Sequence, residues 1–180
     1  MKKYLCIVPL VLLFCFTIAC KDKAAMAELE KFRAQAKIEE QNMALYRKTI
    51  EALNTRNLEF YRESMSPDYA YYSPSANPKP MSPDEVIAMI KTNLEGSSDA
   101  RWRIEEQVAS GDVVVSRVIA GGTNTAPFQG IPATGKRFEF SILNWCRLRD
   151  GKIVEEREEW DSLGFMQQLG MELKPKEVDK

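Results

Sequence analysis

The sequence contains no histidine. That absence excludes a Ser-His-Asp or Cys-His catalytic unit, and it excludes zinc sites that use imidazole. Neither sign of charge is in excess, since 25 Lys and Arg residues stand against 26 Asp and Glu residues. Proteins that bind nucleic acid usually carry a strongly basic face, so we expect no nucleic-acid partner. The length of 180 residues and the hydrophobic fraction of 44% fit one folded domain.

The first 20 residues have the composition of an export signal. Two lysines precede an uncharged apolar stretch at 4–19, which is shorter than the roughly 20 residues of a spanning helix. The stretch ends in Thr-Ile-Ala-Cys, which resembles the lipobox of bacterial lipoproteins. The resemblance implies a cleaved signal at 1–20, lipid on Cys20 and attachment to the membrane at the cell envelope, with the outer membrane or surface favoured. A plain signal peptide and an uncleaved anchor are the alternatives.

Cysteine is scarce beyond that segment, because Cys146 is the only one of the four that follows Cys20. Removal of the signal and lipidation of Cys20 would leave Cys146 without a disulfide partner in its own chain. Cys146 alternates with apolar residues in a strand-like run, which predicts a buried structural thiol. With no histidine base in the chain, we do not expect it to act as a nucleophile.

The mature chain shows three regions. Residues 21–40 are rich in Ala, Glu, Lys and Gln and carry five charges of each sign, which predicts a solvated helical tether. A folded domain is predicted at 41–173 and a polar tail at 174–180. The domain begins with a helix, because apolar residues recur at helical spacing from Met43 to Leu53.

The order of the remaining elements indicates the fold class. A short helix at 58–65, a turn at 66–68, a strand at 69–72, a proline-rich loop and a helix at 83–95 precede four strand-like runs. These runs lie at 101–110, 113–123, 137–148 and 153–160, and a last helix lies at 163–169. Turn residues at 111–112 and 149–152 predict antiparallel hairpins. The chain is therefore predicted to be α+β, with a curved antiparallel sheet around amino-terminal helices and a conical space for a ligand.

Several sequence blocks carry a resemblance to a known family. They are Tyr46-x3-Ile50-Glu51-Ala52-Leu53-Asn54 with Asn57-Leu58, Ser66-Pro67-Asp68-Tyr69, Gly122-Thr123-Asn124-Thr125 leading to Phe128-Gln129-Gly130-Ile131-Pro132-Ala133-Thr134-Gly135-Lys136, Asp150-Gly151-Lys152-Ile153-Val154-Glu155, and Trp160-Asp161-x-Leu163-Gly164-x2-Gln167-Gln168-Leu169-Gly170. In this order, over 41–173, the chain resembles the SnoaL-like polyketide cyclase (ester cyclase) family. The resemblance implies the cone-shaped fold of nuclear-transport-factor and ketosteroid-isomerase proteins.

The candidate catalytic residues follow from this resemblance. Characterised cyclases of the family use an aspartate on the last strand as general acid/base in an intramolecular aldol closure. Matching forward from the Gly-Lys-Ile at 151–153 places Glu158 at that position, while a family histidine one strand earlier falls on Asn144. The chain departs from the family at both places. The resemblance implies Glu158 as the base and Asn144 as its hydrogen-bond partner.

Strand alternation supports part of this assignment. It places Asn144 on the apolar face of residues 138–148, where a buried amide needs a partner. In the last strand, alternation places Val154, Glu156, Glu158 and Trp160 on one face and Ile153 on the other. Alternatively, the carboxylates around Arg157 form a solvated strand edge. No metal site is predicted, because the carboxylates lack regular ligand spacing.

The candidate ligand-binding residues are Tyr72, Trp160, Phe140 and Trp102. The resemblance implies that Tyr72 lines the mouth of the pocket, where relatives often have a polar or histidine side chain, and its hydroxyl could donate to an enolate oxygen. The tryptophans could equally be core residues. The expected ligand is small and apolar or carbonyl-bearing, with no cofactor. Three functions stay open: a proton-transfer enzyme of the ester cyclase or isomerase type, a silent binding module, and an interaction lipoprotein that forms a homodimer through the outer face of its sheet.

Overall fold

A computed structural model describes residues 7–74, 77–128, 130–172 and 174. Residues 1–6 of the predicted signal, Gln129 of the matched loop, Leu173 and residues 175–180 of the predicted tail lie outside this part. The chain divides into two structural units, residues 1–38 and 39–180. The elements are α1 (Ile7–Thr55), α2 (Leu58–Ser64), β1 (Met65–Tyr72), α3 (Pro83–Gly96), β2 (Arg101–Ser110), β3 (Val113–Thr123), β4 (Arg137–Arg149), β5 (Lys152–Trp160) and α4 (Ser162–Gln168).

Helix α1 covers both the predicted tether and the first helix of the domain. The helical conformation predicted for 21–40 is confirmed, whereas the role of a tether stays a prediction. Near the carboxyl end of α1, Asn54 holds the backbone of the edge strand β2, since its amide bonds both the N–H and the C=O of Trp102 at 2.8 and 2.7 Å. No helix within the described residues is both long and apolar enough to cross a membrane.

The shorter helices begin where their capping residues predict. Ser82 and Glu85 form a capping box at the start of α3, with Pro83 in the first turn. Asp161 caps α4 by accepting a hydrogen bond from the backbone N–H of Gly164 at 2.8 Å. These local signals fix the helix that follows the proline-rich loop and the helix that follows the last strand.

The five strands form one sheet in the order β1-β5-β4-β3-β2. Strands β2 to β5 are an antiparallel meander, as the hairpin turns predict. Strand β1, however, pairs with β5 in parallel, so the sheet is mixed and the prediction of an antiparallel sheet is wrong at this edge. Turn residues predict hairpins between consecutive strands. The residues of β1 and β5 that pair are more than 80 positions apart in the chain, so no turn between them signals the pairing.

The predicted turn at 66–68 is also corrected, because these residues lie inside β1. Pro67 cannot donate to a ladder, yet a proline is tolerated on an edge strand or at an irregularity. Both conditions hold here, since β1 is an edge strand and its register with β5 shifts between Met65 and Ala70.

A β-bulge near Val154 changes the faces of β5. Arg147 pairs with Glu155 and Leu148 pairs with Ile153, so Val154 falls between two pairs. A bulge adds one residue and reverses the alternation on one side of it. Ile153 therefore lies in the core at 2% exposure, while Val154 lines a groove on the opposite face. The simple alternation that grouped Val154 with Glu156 is wrong at this point.

The main core lies between the inner face of the sheet and helices α1, α2 and α3. Cys146 is a member of this core and is fully buried, as predicted, and burial raises the pKa of its thiol. The principal apolar contributors are Tyr46, Ile50, Leu53, Tyr61, Val86, Ile90, Val114, Val118, Ile142, Leu148 and Ile153.

Candidate active site

Asn144 connects two glutamates at the centre of the inner face. It lies directly opposite Glu158 in the β4–β5 ladder, and its side chain is fully buried. Its Nδ2 atom donates to Oε1 of Glu156 at 3.2 Å and to Oε1 of Glu158 at 3.1 Å. Its Oδ1 atom has no donor among the residues that the structure describes. The amide is therefore held in this site by its two N–H donations.

Two tyrosines of β1 complete the hydrogen bonding of the carboxylates. The Tyr71 hydroxyl donates to Oε2 of Glu158 at 2.5 Å, and the Tyr69 hydroxyl donates to Oε2 of Glu156. The parallel pairing of β1 with β5 brings these strands side by side, with Tyr71 opposite Glu156. Each carboxylate consequently accepts one phenol O–H and one N–H of the shared amide.

The electrostatics of the pair follow from burial without a counter-charge. Among the described residues, no Lys or Arg side chain lines the cavity at this site. Burial and the neighbouring Glu158 raise the pKa of Glu156 from 4.5 to about 7. Burial also raises the pKa of Glu158, while hydrogen bonds from Tyr71 and Asn144 oppose that rise. A buried carboxyl group with a pKa near 7 is suited to proton transfer near neutral pH.

Both carboxylates face a cavity of about 330 Å³, a size in the range of small-molecule sites. One wall of the cavity is aromatic. The Phe165 ring of α4 meets the rings of Phe138, Phe140 and Trp160 edge-to-face, with centroids 5.0, 5.3 and 5.8 Å away. Trp102 lines the cavity as well. Such a space suits a ligand with planar apolar rings and one or two polar groups near the carboxylates.

The loop between β3 and β4 supplies Phe128 to the same wall. Buried Asn124 accepts hydrogen bonds from the backbone N–H and the hydroxyl of Thr134, at 2.7 and 2.9 Å, and so ties the two ends of this loop together. At Gly96 a Cβ atom would stand 2.7 Å from Cβ of Phe128, closer than real contacts allow. The glycine at the end of α3 therefore permits the close approach of the loop.

The structure brings most of the predicted site residues together. Glu158 and Asn144 are hydrogen-bonded, and Phe140, Trp160 and Trp102 line the cavity. Their roles in catalysis or binding stay predictions. No cluster of three or more Asp, Glu or Cys side chains in the described ranges is arranged to hold a metal ion.

Tyr72 is the exception, and its placement at the pocket is corrected. Its ring lies under the Arg157 guanidinium, 4.2 Å from the ring centroid, in a groove on the outer face of the sheet. Side chains alternate along a strand, so Tyr71 and Tyr72 point to opposite faces. Tyr71 is the one that lines the cavity.

Sequence reasoning missed Glu156, Tyr69 and Tyr71. Alternation did group Glu156 with Glu158, but the surrounding charges favoured a solvated edge as the alternative. No local signal separates these interpretations. Tyr69 and Tyr71 share one face of β1 because they lie two positions apart, but only the pairing of β1 with β5 in the folded protein shows that this face is the inner one.

Comparison with known proteins identifies the family. A family model described as SnoaL-like polyketide cyclase matches residues 43–169. Aklanonic acid methyl ester cyclase DnrD of Streptomyces peucetius is 30% identical over 130 residues, which cover 70% of this chain and 88% of that protein. Nogalonic acid methyl ester cyclase of Streptomyces nogalater is 28% identical over 127 residues, covering 67% of this chain and 91% of the other.

Solved structures show the same fold. Wild-type IdmH from Streptomyces antibioticus superposes with a TM-score of 0.65 and 29% identity, over 73% of this chain and 99% of that one. AclR from Streptomyces galilaeus gives a TM-score of 0.67 at 23% identity, over 73% and 97% of the two chains, a likeness of fold alone. The matched region contains both carboxylates, the amide and the aromatic wall, and the chain belongs to the SnoaL-like polyketide cyclase family.

Proposed function

We propose that this protein closes a ring in a small carbonyl compound by proton transfer, with Glu158 as the base. The observation that carries the proposal is the Glu158 carboxylate, which is half-buried, held by Tyr71 and Asn144, and open to an apolar cavity whose described lining contains no Lys or Arg. Glu158 removes a proton from a carbon next to a carbonyl group. The enolate carbon then attacks a second carbonyl of the same molecule, and the new alkoxide oxygen takes up a proton.

The substrate class in this proposal is a polyketide-like methyl ester or a similar neutral carbonyl compound. The names of the relatives support it, since DnrD is an aklanonic acid methyl ester cyclase. The charge of the cavity supports it as well. Two buried carboxylates with no basic side chain lining the described cavity would repel a free carboxylic acid, whereas an ester carries no charge. The aromatic wall would pack against the rings of such a molecule.

The test measures ring closure of aklanonic acid methyl ester by the full-length protein and by Glu158→Gln. We expect kcat to fall by at least about 100-fold in Glu158→Gln, because the amide cannot accept the proton. The matched control is Glu159→Gln, which makes the same change on the exposed neighbour in β5 and should leave kcat unchanged. A Glu158→Gln variant with the wild-type rate would contradict the proposal. Binding of the ester without conversion by the wild-type protein would favour the silent binding module.

Export and lipidation are a second part of the proposal. We expect Cys20 to carry the lipid and to anchor the domain at the cell envelope, as the lipobox-like Thr-Ile-Ala-Cys at 17–20 indicates. Labelled palmitate fed to expressing bacteria should appear in the wild-type protein and in Cys15→Ala, but not in Cys20→Ala. Label retained by Cys20→Ala would exclude this anchor.

The outer face of the sheet is proposed to form a homodimer. Val108 is 64% exposed and Leu143 is 54% exposed, and the pairing of β2, β3 and β4 places both on this face. Light scattering should give twice the chain mass for the wild type and a monomer for Leu143→Lys. The control is Leu163→Lys, which adds the same charge at an exposed leucine of α4. An unchanged mass in Leu143→Lys would remove this face as the interface.

A further inference from the structure

Glu156 has no part in a reaction that uses a single base, yet it lines the same cavity as Glu158. Its side chain is more deeply placed, at 3% exposure for the residue, and it accepts hydrogen bonds from Tyr69 and Asn144. A buried carboxylate is costly unless something in the site compensates its charge. The surroundings of Glu156 therefore have to explain how the charge is tolerated.

The first observation is the distance between the two carboxylates. Both accept a hydrogen bond from the same nitrogen, Nδ2 of Asn144, at 3.2 and 3.1 Å. The shared donor keeps these two oxygens within about 6 Å of each other, a separation at which one carboxylate disfavours ionisation of the next. One amide group thus holds the carboxylates together without supplying any positive charge.

The second observation is the chemistry of every titratable group that faces the pair. Among the described residues none of these groups is a cation, so a proton is the compensation available inside the site. Helix α1 contributes Tyr46, helix α2 contributes Tyr61, strand β1 contributes Tyr69 and Tyr71, and strand β4 contributes Cys146. Burial raises the pKa of all five groups, which keeps them neutral near pH 7.

We propose that Glu156 and Glu158 hold one proton between them and divide the chemistry, with Glu158 as the base and Glu156 as the acid. This inference rests on the proposed ring closure and adds a second catalytic residue to it. Glu156 takes the acid role because it is the more deeply buried of the two, and burial favours the neutral form. Its pKa of about 7, raised by burial and by Glu158, agrees with that assignment.

The step balances without any further reactant. The Glu158 carboxylate takes the proton from the carbon next to the carbonyl group, and the carbon–carbon bond forms as the enolate attacks the second carbonyl. The alkoxide oxygen then receives the proton of the Glu156 carboxylic acid. Glu158 is left protonated and Glu156 ionised. Transfer of one proton from Glu158 to Glu156 restores the starting state.

The first arm of the test is a carboxyl-carbon NMR titration of the full-length protein, which needs no substrate. In the wild type we expect the pair to carry one proton at pH 6, below the Glu156 pKa of about 7. In Glu158→Gln, which replaces the charged neighbour with a neutral side chain of nearly the same shape, Glu156 should titrate at lower pH than in the wild type. Glu155→Gln changes the neighbouring outer carboxylate and should leave the Glu156 titration where it was. Two fully ionised carboxylates at pH 6 in the wild type would overturn the inference.

The second arm follows aklanonic acid methyl ester in D₂O. Glu156→Gln should still exchange the α-proton for deuterium at close to the wild-type rate but should lose at least about 100-fold in ring closure, whereas Glu158→Gln should lose both. Full ring closure by Glu156→Gln would overturn the acid role of Glu156. An inactive wild type would count against the proposed function for this ester, and the titration would still decide whether the proton is shared.

Discussion

The two faces of β5 place the same kind of residue in opposite environments. On the outer face, Glu155 accepts a hydrogen bond from the Arg157 guanidinium at 2.7 Å, and that guanidinium also covers the Tyr72 ring. On the inner face, Glu156 is buried and Glu158 is half-buried, and the donors that the described residues offer them are neutral phenol and amide groups. Glutamates one position apart thus differ in whether a cation or a proton balances their charge.

The chemical partner of each carboxylate therefore determines what that carboxylate can do. A partly exposed ion pair such as Glu155–Arg157 contributes about 0–1 kcal/mol, because water screens it. A buried carboxylate that keeps a proton near pH 7 can give or take that proton during a reaction.

Replacing Asn144 with Leu should have the largest effect. The change removes one N–H donor from each of the two carboxyl groups. A hydrogen bond to a charged group contributes about 1.5–3 kcal/mol and one to a neutral group about 0.5–1.5 kcal/mol. We expect the free energy of unfolding, measured by urea denaturation at pH 7, to fall by about 3 kcal/mol or more. Glu139→Ala, on the outer face of the same strand, should stay within about 0.5 kcal/mol of the wild type. A loss of under 1 kcal/mol in Asn144→Leu would show that the amide does not hold the pair.

The inner face should also give the protein an unusual pH dependence. The pKa of Glu156 is raised on folding from 4.5 to about 7, so the folded state holds an extra proton between these values. The contribution of this proton to the free energy of unfolding is fully present below pH 4.5 and is lost as the pH rises through 7. We therefore expect the free energy of unfolding to fall by about 3 kcal/mol over this range.

Urea denaturation at several pH values tests this slope, and Glu158 should add to it in the same direction. Glu156→Gln should remove most of the decrease, because glutamine does not titrate. Glu155→Gln on the outer face should retain it. A wild-type protein that gains stability between pH 4.5 and 7 would mean that Glu156 is ionised throughout.

The adjacent tyrosines Tyr71 and Tyr72 allow the same change, loss of one hydroxyl oxygen, to be made on each face of the sheet. Tyr71→Phe removes the hydroxyl that bonds Glu158, so we expect kcat for the ester probe to fall by about tenfold, the equivalent of one net hydrogen bond. Tyr72→Phe removes a hydroxyl on the outer face and should leave kcat unchanged. Equal losses in both variants would remove the distinction between the faces.

The smallest effect is expected for the outer ion pair. Arg157→Ala removes the bond to Glu155 and the contact with Tyr72, and we expect a loss of about 1 kcal/mol or less. A double-mutant cycle with Glu155→Gln isolates the ion pair, whose coupling should shrink further in 1 M salt. A coupling above 2 kcal/mol would place this pair in the same energetic class as the buried one.

Much of the fold could be predicted from local sequence. The capping residues Ser82 and Asp161 predict the starts of α3 and α4, and the turn residues at 149–152 predict the β4–β5 hairpin. These signals can be recognised because each depends on only a few neighbouring residues. The parallel pairing of β1 and the bulge at Val154 could not be predicted in this way. They depend on strands that meet through the packing of distant segments.

The residues of the candidate site likewise fall into those that could be predicted from the sequence and those that could not. Glu158 and Asn144 could be identified by resemblance and by alternation, since each needs only its own strand and the family pattern. Tyr71 could not be distinguished from Tyr72, because alternation says that two neighbours point to opposite faces without saying which face is the inner one. Glu156 could not be identified as a buried group from the sequence, because it stands between Glu155 and Arg157. Nothing local shows that these two charged neighbours lie on the opposite face of the sheet.

The α+β class, the family resemblance and the absence of histidine could all be read from the amino-acid sequence alone. These follow from composition, from periodicity and from motifs, which are local properties. The folded chain, in contrast, is needed to show that Glu156 and Glu158 share one amide donor and face an apolar cavity with no Lys or Arg in its described lining. The physical reason is that burial and charge compensation depend on what every packed element brings to a point, and β1, β4, β5 and the helices meet at this site only in the folded protein.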